Sequence, residues 1–331
     1  MLQYISLFNT GTGAYVNRRG LHKVKAKRNK TIDLPLEEGR SYLERCIRDC
    51  RDLTLEKILD RTICADSFSV LPVLPENFVD LLIVDPPYNL AKDFHGKSFH
   101  AMSDEAYAEY TESWLKLVLP LLKKESSVYV CCDWISSPVI MSVMKKYLRI
   151  RNRITWQREK GRGALSNWKN SMEDIIFATV SQNYTFHADA VKIRRKVIAP
   201  YRENGKPKDW EETLHGKFRN TCASNFWDDI SVPYWSMAEN TAHPTQKPEK
   251  LLAKLILGSS SEGDIVFDPF AGSGSTLVTA RKLGRHFVGI EQNEQYCVWA
   301  EKRLEMALSD PTIQGYADGV FWERNSKPLS K

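Results

Sequence analysis

Two short stretches hold the residue types that could do chemistry. In DIVFDPFAGSGSTLVTARKLGRHFVGIEQN, residues 264–293, the apolar run Ile265-Val266-Phe267 ends on Asp268. A glycine loop with Gly272 and Gly274 then turns into a helix, and the next strand ends on Glu291. Glycines let backbone approach a ligand closely, and an acid ending the second strand is placed to bind ribose hydroxyls. No Lys-Ser/Thr pair follows the glycines, which disfavours a phosphate-cradling NTPase loop, and an acid directly before the loop would repel a pyrophosphate. It would attract a cationic ligand instead, and S-adenosylmethionine carries both an ammonium and a sulfonium. The alternative is a tight βα turn in an unrelated α/β enzyme. The other stretch is LLIVDPPYNL, residues 81–90, where four apolar residues run into Asp85-Pro86-Pro87-Tyr88. Two prolines fix the backbone and remove competing N–H groups, so this strand end presents a carboxylate and a backbone carbonyl as acceptors on a rigid turn. The alternative is a proline-rich turn with Asp85 capping a helix.

Such turns need strands to end and helices to begin, and the flanking pattern supplies both. RTICAD (61–66), VDLLIVD (79–85), SSVYVCCD, RIRNRITWQ, EDIIFATV (173–180), GDIVFDPF and RHFVGIE read as strands. SDEAYAEYTESWLKLVLPLLKK (103–124), SPVIMSVMKKYL, PEKLLAKLILGSS and SGSTLVTARKLG read as helices, the first opening on a Ser103 cap. Residues 36–60 read as a helical segment with Leu43, Ile47, Leu53 and Ile58 on its apolar side. Alternating strands and helices predict an α/β fold with a mainly parallel sheet. Residues 195–240 break the rhythm. They are polar, interrupted by Gly and Pro, and rich in tryptophan, the composition of an inserted functional segment.

Composition bounds the partner. The chain of 331 residues is 42% hydrophobic and 27% charged, ordinary for a globular protein. It has no apolar run of membrane-spanning length, and the opening MLQYISLFNT lacks the features of a signal peptide. The seven cysteines and seven histidines show no metal-ligand spacing, so no metal is expected. Cys131-Cys132 sit in an apolar run as buried reduced thiols, and the protein is expected to be cytosolic, with no membrane partner. The net charge of +6 is concentrated in 17–30, 153–163 and 191–197. Each cluster alone is most simply a solvated face, but three together, two of them beside tryptophans, point to nucleic acid.

With Asp85-Pro86-Pro87-Tyr88 and Asp268-Pro-Phe-Ala-Gly-Ser-Gly both present, the chain resembles the DNA amino-methyltransferases, which methylate exocyclic amines of adenine or cytosine with S-adenosylmethionine. The resemblance extends over most of 61–305, including HPTQKP (243–248) and an NxW element at Asn225-Phe226-Trp227. With the catalytic tetrapeptide before the glycine loop, it looks like the circularly permuted beta group. This implies a Rossmann-like methyltransferase fold, with a mainly parallel seven-stranded sheet and helices on both faces. It also implies a catalytic half (61–194), a target-recognition insertion (195–240) and a cofactor half (241–305), from which the chain departs by a longer basic extension (1–60) and by a tail (306–331) whose Tyr316, Phe321 and Trp322 make it apolar enough to pack on the fold or on a second subunit.

The resemblance also assigns roles. Asp85, Pro86, Pro87 and Tyr88 are the catalytic set. An aromatic amine is a poor nucleophile, so Asp85 and the Pro86 carbonyl would accept its N–H hydrogen bonds while Tyr88 stacks on a base flipped out of the duplex. The cofactor set is Asp85 and Pro86 with Asp66, Pro244, Thr245, Lys247, Asp268, Phe270, Ala271, Gly272, Ser273, Gly274, Thr276, Glu291 and Gln292. Alternatives stay beside it: Asp66 as a turn cap, HPTQKP as a surface loop, and Ser273, Ser275 and Thr276 as a helix start. Trp156, Trp168, Trp210, Trp227 and Trp235 read as packing residues before base-stackers. Arg158, Lys160, Arg162, Arg194, Arg195 and Lys196 are candidate DNA phosphate contacts. The expected activity is adenine-N6 methylation of double-stranded DNA by a solitary enzyme or one paired with a restriction endonuclease, with a homodimer implied by the beta group. Cytosine-N4 methylation is the runner-up. RNA methylation, a non-catalytic specificity subunit and a dehydrogenase follow.

Overall fold

The apolar strand segments assemble into one sheet whose strands we number in chain order: β1 (Arg61–Cys64), β2 (Val79–Val84), β3 (Leu122–Cys132), β4 (Arg149–Gln157), β5 (Met172–Thr179), β6 (Phe226–Trp227), β7 (Ile265–Asp268) and β8 (His286–Glu291). This is a computed structural model, and it describes residues 25–90, 92–94, 97–158, 166–198, 201–214, 216–324 and 326. The spatial order is β1-β8-β7-β2-β3-β5-β4-β6. β1, β8, β7, β2 and β3 run parallel, and β5 runs antiparallel to both β3 and β4. The seven expected strands are therefore joined by an eighth, the two-residue β6, which lies parallel to β4 at the edge.

Side-chain alternation along the strands builds two cores. Leu82 and Val84 of β2 face a layer formed with α1 (Asp104–Val118) and α2 (Ser137–Met144), including Trp114, Leu115, Ile140 and Met144. Leu81 and Ile83 face the opposite layer, with Leu251 and Leu255 of α3 (Glu249–Ser259), Leu277 of α4 (Ser275–Lys282) and Leu304 of α5 (Glu294–Ser309). A strand apolar on both faces is what a helix-covered parallel sheet requires.

Two expected helices are shortened. α1 starts as anticipated, with Ser103 Oγ accepting from the Ala106 N–H at 3.3 Å, but it ends at Val118. Pro120 follows in a single 3₁₀ turn, and Lys123 already belongs to β3, where its ammonium meets Asp80 of β2 at 2.7 Å. Residues 36–60 form no continuous helix, only single turns at Arg40–Leu43 and Leu55–Ile58. Between them Ile47 is extended and pairs with Ile63 of β1, donating its N–H to Thr62 and accepting from Cys64.

Of the segment expected as an insertion, Phe226–Trp227 join the main sheet as β6, while residues 193–221 supply three strands of a second, five-stranded sheet in the order Glu211–Thr213, Gly216–Thr221, Ile193–Lys196, Val320–Trp322, Tyr316–Ala317. These strands begin two residues before 195, and the tail completes the sheet. Phe321 is fully buried and Trp322 nearly so, so the tail packs back on its own fold. Trp156, Trp210 and Trp227 are buried, whereas Trp168 and Trp235 are exposed. All seven cysteines are free thiols, with Cys131 and Cys132 buried. No helix among the described residues is long and apolar enough to cross a membrane, and no group of His, Cys, Asp or Glu among them could hold a metal ion.

Candidate active site

β7 and β2 are neighbours in the sheet although 180 residues separate them in the chain, with Val266 opposite Leu81 and Phe267 opposite Leu82. Their carboxyl ends therefore bring Asp268 and Asp85 together at the centre of the sheet, the position at which open α/β sheets bind ligands. The adjoining parallel strands do the same: β1 leads into Asp66, β8 ends on Glu291 and β3 leads into Asp133. All five acids line one cavity of about 450 Å³, well within the size range of small-molecule sites.

Backbone geometry accounts for the glycine loop. Gly274 opens α4 at φ +76°, and a Cβ there would stand 2.6 Å from the Ala300 Cβ. Gly274 thus serves close helix packing and does not itself line the cavity. Gly272, at φ +53°, lies against the His243 ring and donates its N–H to Glu291 Oε2 at 2.8 Å. Glu291 Oε1 accepts from the Asn293 N–H at 2.7 Å, so both oxygens are oriented by backbone while the carboxylate still lines the cavity. Asp268 is buried and accepts from the Phe270 N–H at 3.0 Å, with no ion pair to it among the described residues. Burial pushes its carboxyl up to about 7, with the Asp85 and Glu291 charges adding to the rise, against hydrogen bonds from Thr276 and Phe270. A buried acid without a cationic partner fits a ligand that brings its own positive charge.

The Asp85-Pro86-Pro87-Tyr88 turn is pinned from three sides. The Tyr107 hydroxyl of α1 donates to the Pro87 carbonyl at 3.0 Å, the Asn89 N–H donates to Ser136 Oγ at 3.3 Å, and the Asn89 side chain bonds the Met102 backbone twice. No described residue donates to the Pro86 carbonyl, which leaves it available as an acceptor. Asp85 Oδ1 accepts from the Tyr88 hydroxyl at 2.9 Å and Oδ2 from the Lys247 ammonium at 2.6 Å, while Lys247 also donates to the Tyr88 oxygen at 2.9 Å. Burial alone would lower the Lys247 pKa, but the Asp85 and Glu173 carboxylates outweigh it and hold the ammonium above its ordinary value. Burial raises the Tyr88 phenol, and the same two carboxylates add to that rise.

Every residue expected to hold cofactor lines the cavity except Gly274, and all four catalytic candidates do. Asp66 caps the Ser67–Val70 turn, accepting from the Ser69 N–H, and also lines the cavity. Gln246 also lines it and braces the loop, accepting from Thr241 and donating to the Glu239 carbonyl. Of the DNA candidates, Arg158 lies at the cavity, paired with Glu173. Arg194 pairs with Glu211 at 2.5 Å, Arg195 reaches Asp228 and Glu323 at 3.5 Å, and Lys196 is exposed on the second sheet. Lys160 and Arg162 lie outside the described residues. Sequence reasoning missed Glu173, Phe68, Tyr110, His243 and Tyr296, which also line the cavity. Glu173 opens the expected strand at 173–180, where the sequence gives it no site role, yet it is only 6% exposed.

The chain matches the N6/N4 methyltransferase family, described as DNA methylase, over residues 79–302. It is 35% identical over 252 residues to the DNA adenine methyltransferase YhdJ of Escherichia coli (strain K12), covering 74% of this chain and 82% of that one. The fold is like that of M1.HpyAVI in complex with SAM (TM-score 0.51, 22% identity, 73% of this chain and 98% of that one). It is also like the cytosine-N4-specific PvuII DNA methyltransferase (TM-score 0.56, 16% identity, 76% and 90%).

Proposed function

This chain belongs to the N6/N4 DNA methylase family, and on that premise we propose that it transfers a methyl group from S-adenosylmethionine to the N6 amine of an adenine flipped out of double-stranded DNA. One observation carries the reading: the Asp85-Pro86-Pro87-Tyr88 turn and the buried Asp268 end neighbouring strands and open into one cavity. S-adenosylmethionine, when bound, supplies an electrophilic methyl on a cationic sulfur. Asp66, Asp268, Glu291 and the 243–247 loop are the residues that would hold it, and the three carboxyl groups suit its two cationic groups. Asp85 and the Pro86 carbonyl accept the two amine N–H bonds and leave the nitrogen lone pair directed away from both. Positive charge that develops on the nitrogen then faces the Asp85 carboxylate, which can take up the surplus amine proton and pass it to solvent, and positioning with electrostatics supplies the acceleration without a covalent enzyme intermediate. Tyr88 offers a ring for the extruded base. Arg194, Arg195 and Lys196, on the second sheet with the inserted segment, are assigned to the phosphate backbone, which positions DNA without reading its sequence.

Adenine is preferred because Asp heads the tetrapeptide and because the curated relative is a DNA adenine methyltransferase. The likeness to a cytosine-N4-specific enzyme favours the second reading, in which the same two acceptors hold a cytosine amine. Incubating the protein with labelled S-adenosylmethionine and unmethylated duplex DNA, then identifying the product nucleoside by mass spectrometry, separates them. N6-methyladenine is expected, N4-methylcytosine would change the substrate, and an unlabelled duplex beside labelled RNA would refute the DNA reading.

The position of Asp268 gives a pH dependence. A cationic ligand favours its ionised form, and that fraction falls as pH drops through about 7. Affinity for S-adenosylmethionine, measured by calorimetry, is therefore expected to weaken below pH 7 by up to about tenfold per unit, with proton release on binding. Asp268→Asn should bind more weakly and flatten the profile. A wild-type affinity constant from pH 6 to 8 would contradict the assignment.

A further inference from the structure

We propose that Lys247 is a positioning residue that occupies Asp85 in the free enzyme and shifts to Glu173 when the target amine arrives, so that Glu173 sets how readily Asp85 becomes an acceptor. This rests on the amino-methyltransferase reading and goes beyond it, because that reading gives Glu173 no part and Lys247 only a place beside the cofactor.

The geometry begins with the two oxygens of Asp85, both of them engaged: Tyr88 on Oδ1 and the Lys247 ammonium on Oδ2 at 2.6 Å. An ammonium at that distance opposes the reaction in two ways. It withdraws from Asp85 the electron density that the amine N–H must meet, and it places a positive charge beside a nitrogen that becomes positive as the new N–C bond forms. Lys247 cannot move into water, since its side chain is only 8% exposed, and a buried ammonium with no acceptor is costly. Glu173 supplies the acceptor. Its side chain is 8% exposed, its Oε1 is held by Arg158, and among the described residues its Oε2 has only long contacts, 3.5 Å from Lys247 Nζ and 3.5 Å from the Tyr88 hydroxyl. A shift of about one ångström would exchange a 2.6 Å pair with Asp85 for one with Glu173 and keep the buried ammonium paired, while Asp85 retains the Tyr88 hydroxyl and gains the amine N–H. Arg158 fixes Glu173 in place and balances its charge, so the four ionised groups stay neutral as a set in either arrangement.

The test is a double-variant cycle read in single turnover at saturating cofactor, with cofactor affinity followed separately by calorimetry. Glu173→Gln, which keeps the shape but offers a weaker acceptor, is expected to slow methyl transfer roughly tenfold to a hundredfold with cofactor affinity little changed. Adding Lys247→Met to that variant removes the ammonium that can no longer leave, so the Glu173→Gln/Lys247→Met enzyme should transfer methyl faster than Glu173→Gln alone. Recovery in the double variant is a result that a merely structural Glu173 would not give. A double variant as slow as Glu173→Gln, or slower, overturns the proposal. Glu173→Asp, which keeps the charge, should restore part of the rate and serves where Glu173→Gln folds poorly. Failure there also counts against the shift. Wild-type methyl transfer run alongside keeps the two readings apart, since its absence would defeat the amino-methyltransferase assignment, and its presence without recovery would defeat only the role of Lys247.

Discussion

An Asp85→Ala enzyme is expected to transfer methyl groups about 10²–10³-fold more slowly than wild type in single turnover while still binding S-adenosylmethionine and DNA. The loss corresponds to about 3–4 kcal/mol of transition-state stabilisation, the worth of one preorganised group aimed at developing charge. Asp85 has that character because the turn carrying it is held by Tyr107, Ser136 and the Asn89 side chain, so its backbone needs no reorganisation when the amine arrives. Binding should persist because Asp66, Asp268 and Glu291 stand on other strands. Lys247 retains Glu173 within 3.5 Å, so the variant should still fold. A rate within a fewfold of wild type would remove Asp85 from the chemistry.

The largest effect on stability is expected from Asp229→Ala. Asp229 lies in the inserted segment, almost wholly buried, and meets Lys254 at 2.6 Å and Lys250 at 2.7 Å. Burial would raise its carboxyl, but the two ammonium groups outweigh that and hold it below the usual range. Burial in turn brings Lys254 down to about 8, where it packs against Trp227 and Phe321. Lys250 also donates to the backbone carbonyls of Asp229 and Trp322, so the cluster ties the insertion, α3 and the tail together. Removing Asp229 leaves two buried ammonium groups with no ion pair among the described residues, a change worth about 3–5 kcal/mol. Denaturant unfolding should show a correspondingly lower midpoint. Asp209→Ala, which breaks the exposed pair with Arg219, should leave the midpoint nearly unchanged. Equal effects from the two substitutions would show that the buried cluster contributes nothing special.

What could be read in the chain beforehand divides along physical lines. Residues at strand ends were legible, because an apolar run followed by an acid and a Gly or Pro turn signals a parallel strand and the group at its carboxyl end. Asp85 and Asp268 follow that rule, and Glu291 ends its apolar strand without a Gly or Pro after it. Gly274 was legible as a glycine but not in its use, because the Ala300 backbone and Cβ that exclude a side chain there come from a helix 26 residues later. Glu173 was not legible at all. Its burial depends on Arg158, Lys247 and Tyr88, contributed by three other segments, and no local pattern announces that convergence. The continuous helix expected over 36–60 was lost for a similar reason, since pairing of Ile47 with β1 is a long-range backbone interaction that outweighs local apolar spacing.

The central claim is that the Asp85-Pro86 turn holds the amine of an extruded base. The most direct measurement is a crystal structure of the protein with duplex DNA containing its methylation site and a non-reactive S-adenosylmethionine analogue. The account predicts the target adenine out of the helix, its N6 within hydrogen-bonding distance of Asp85 and of the Pro86 carbonyl, and its ring against Tyr88. A base that stays stacked in the duplex, or one that enters the cavity with its exocyclic amine turned away from Asp85, would contradict it.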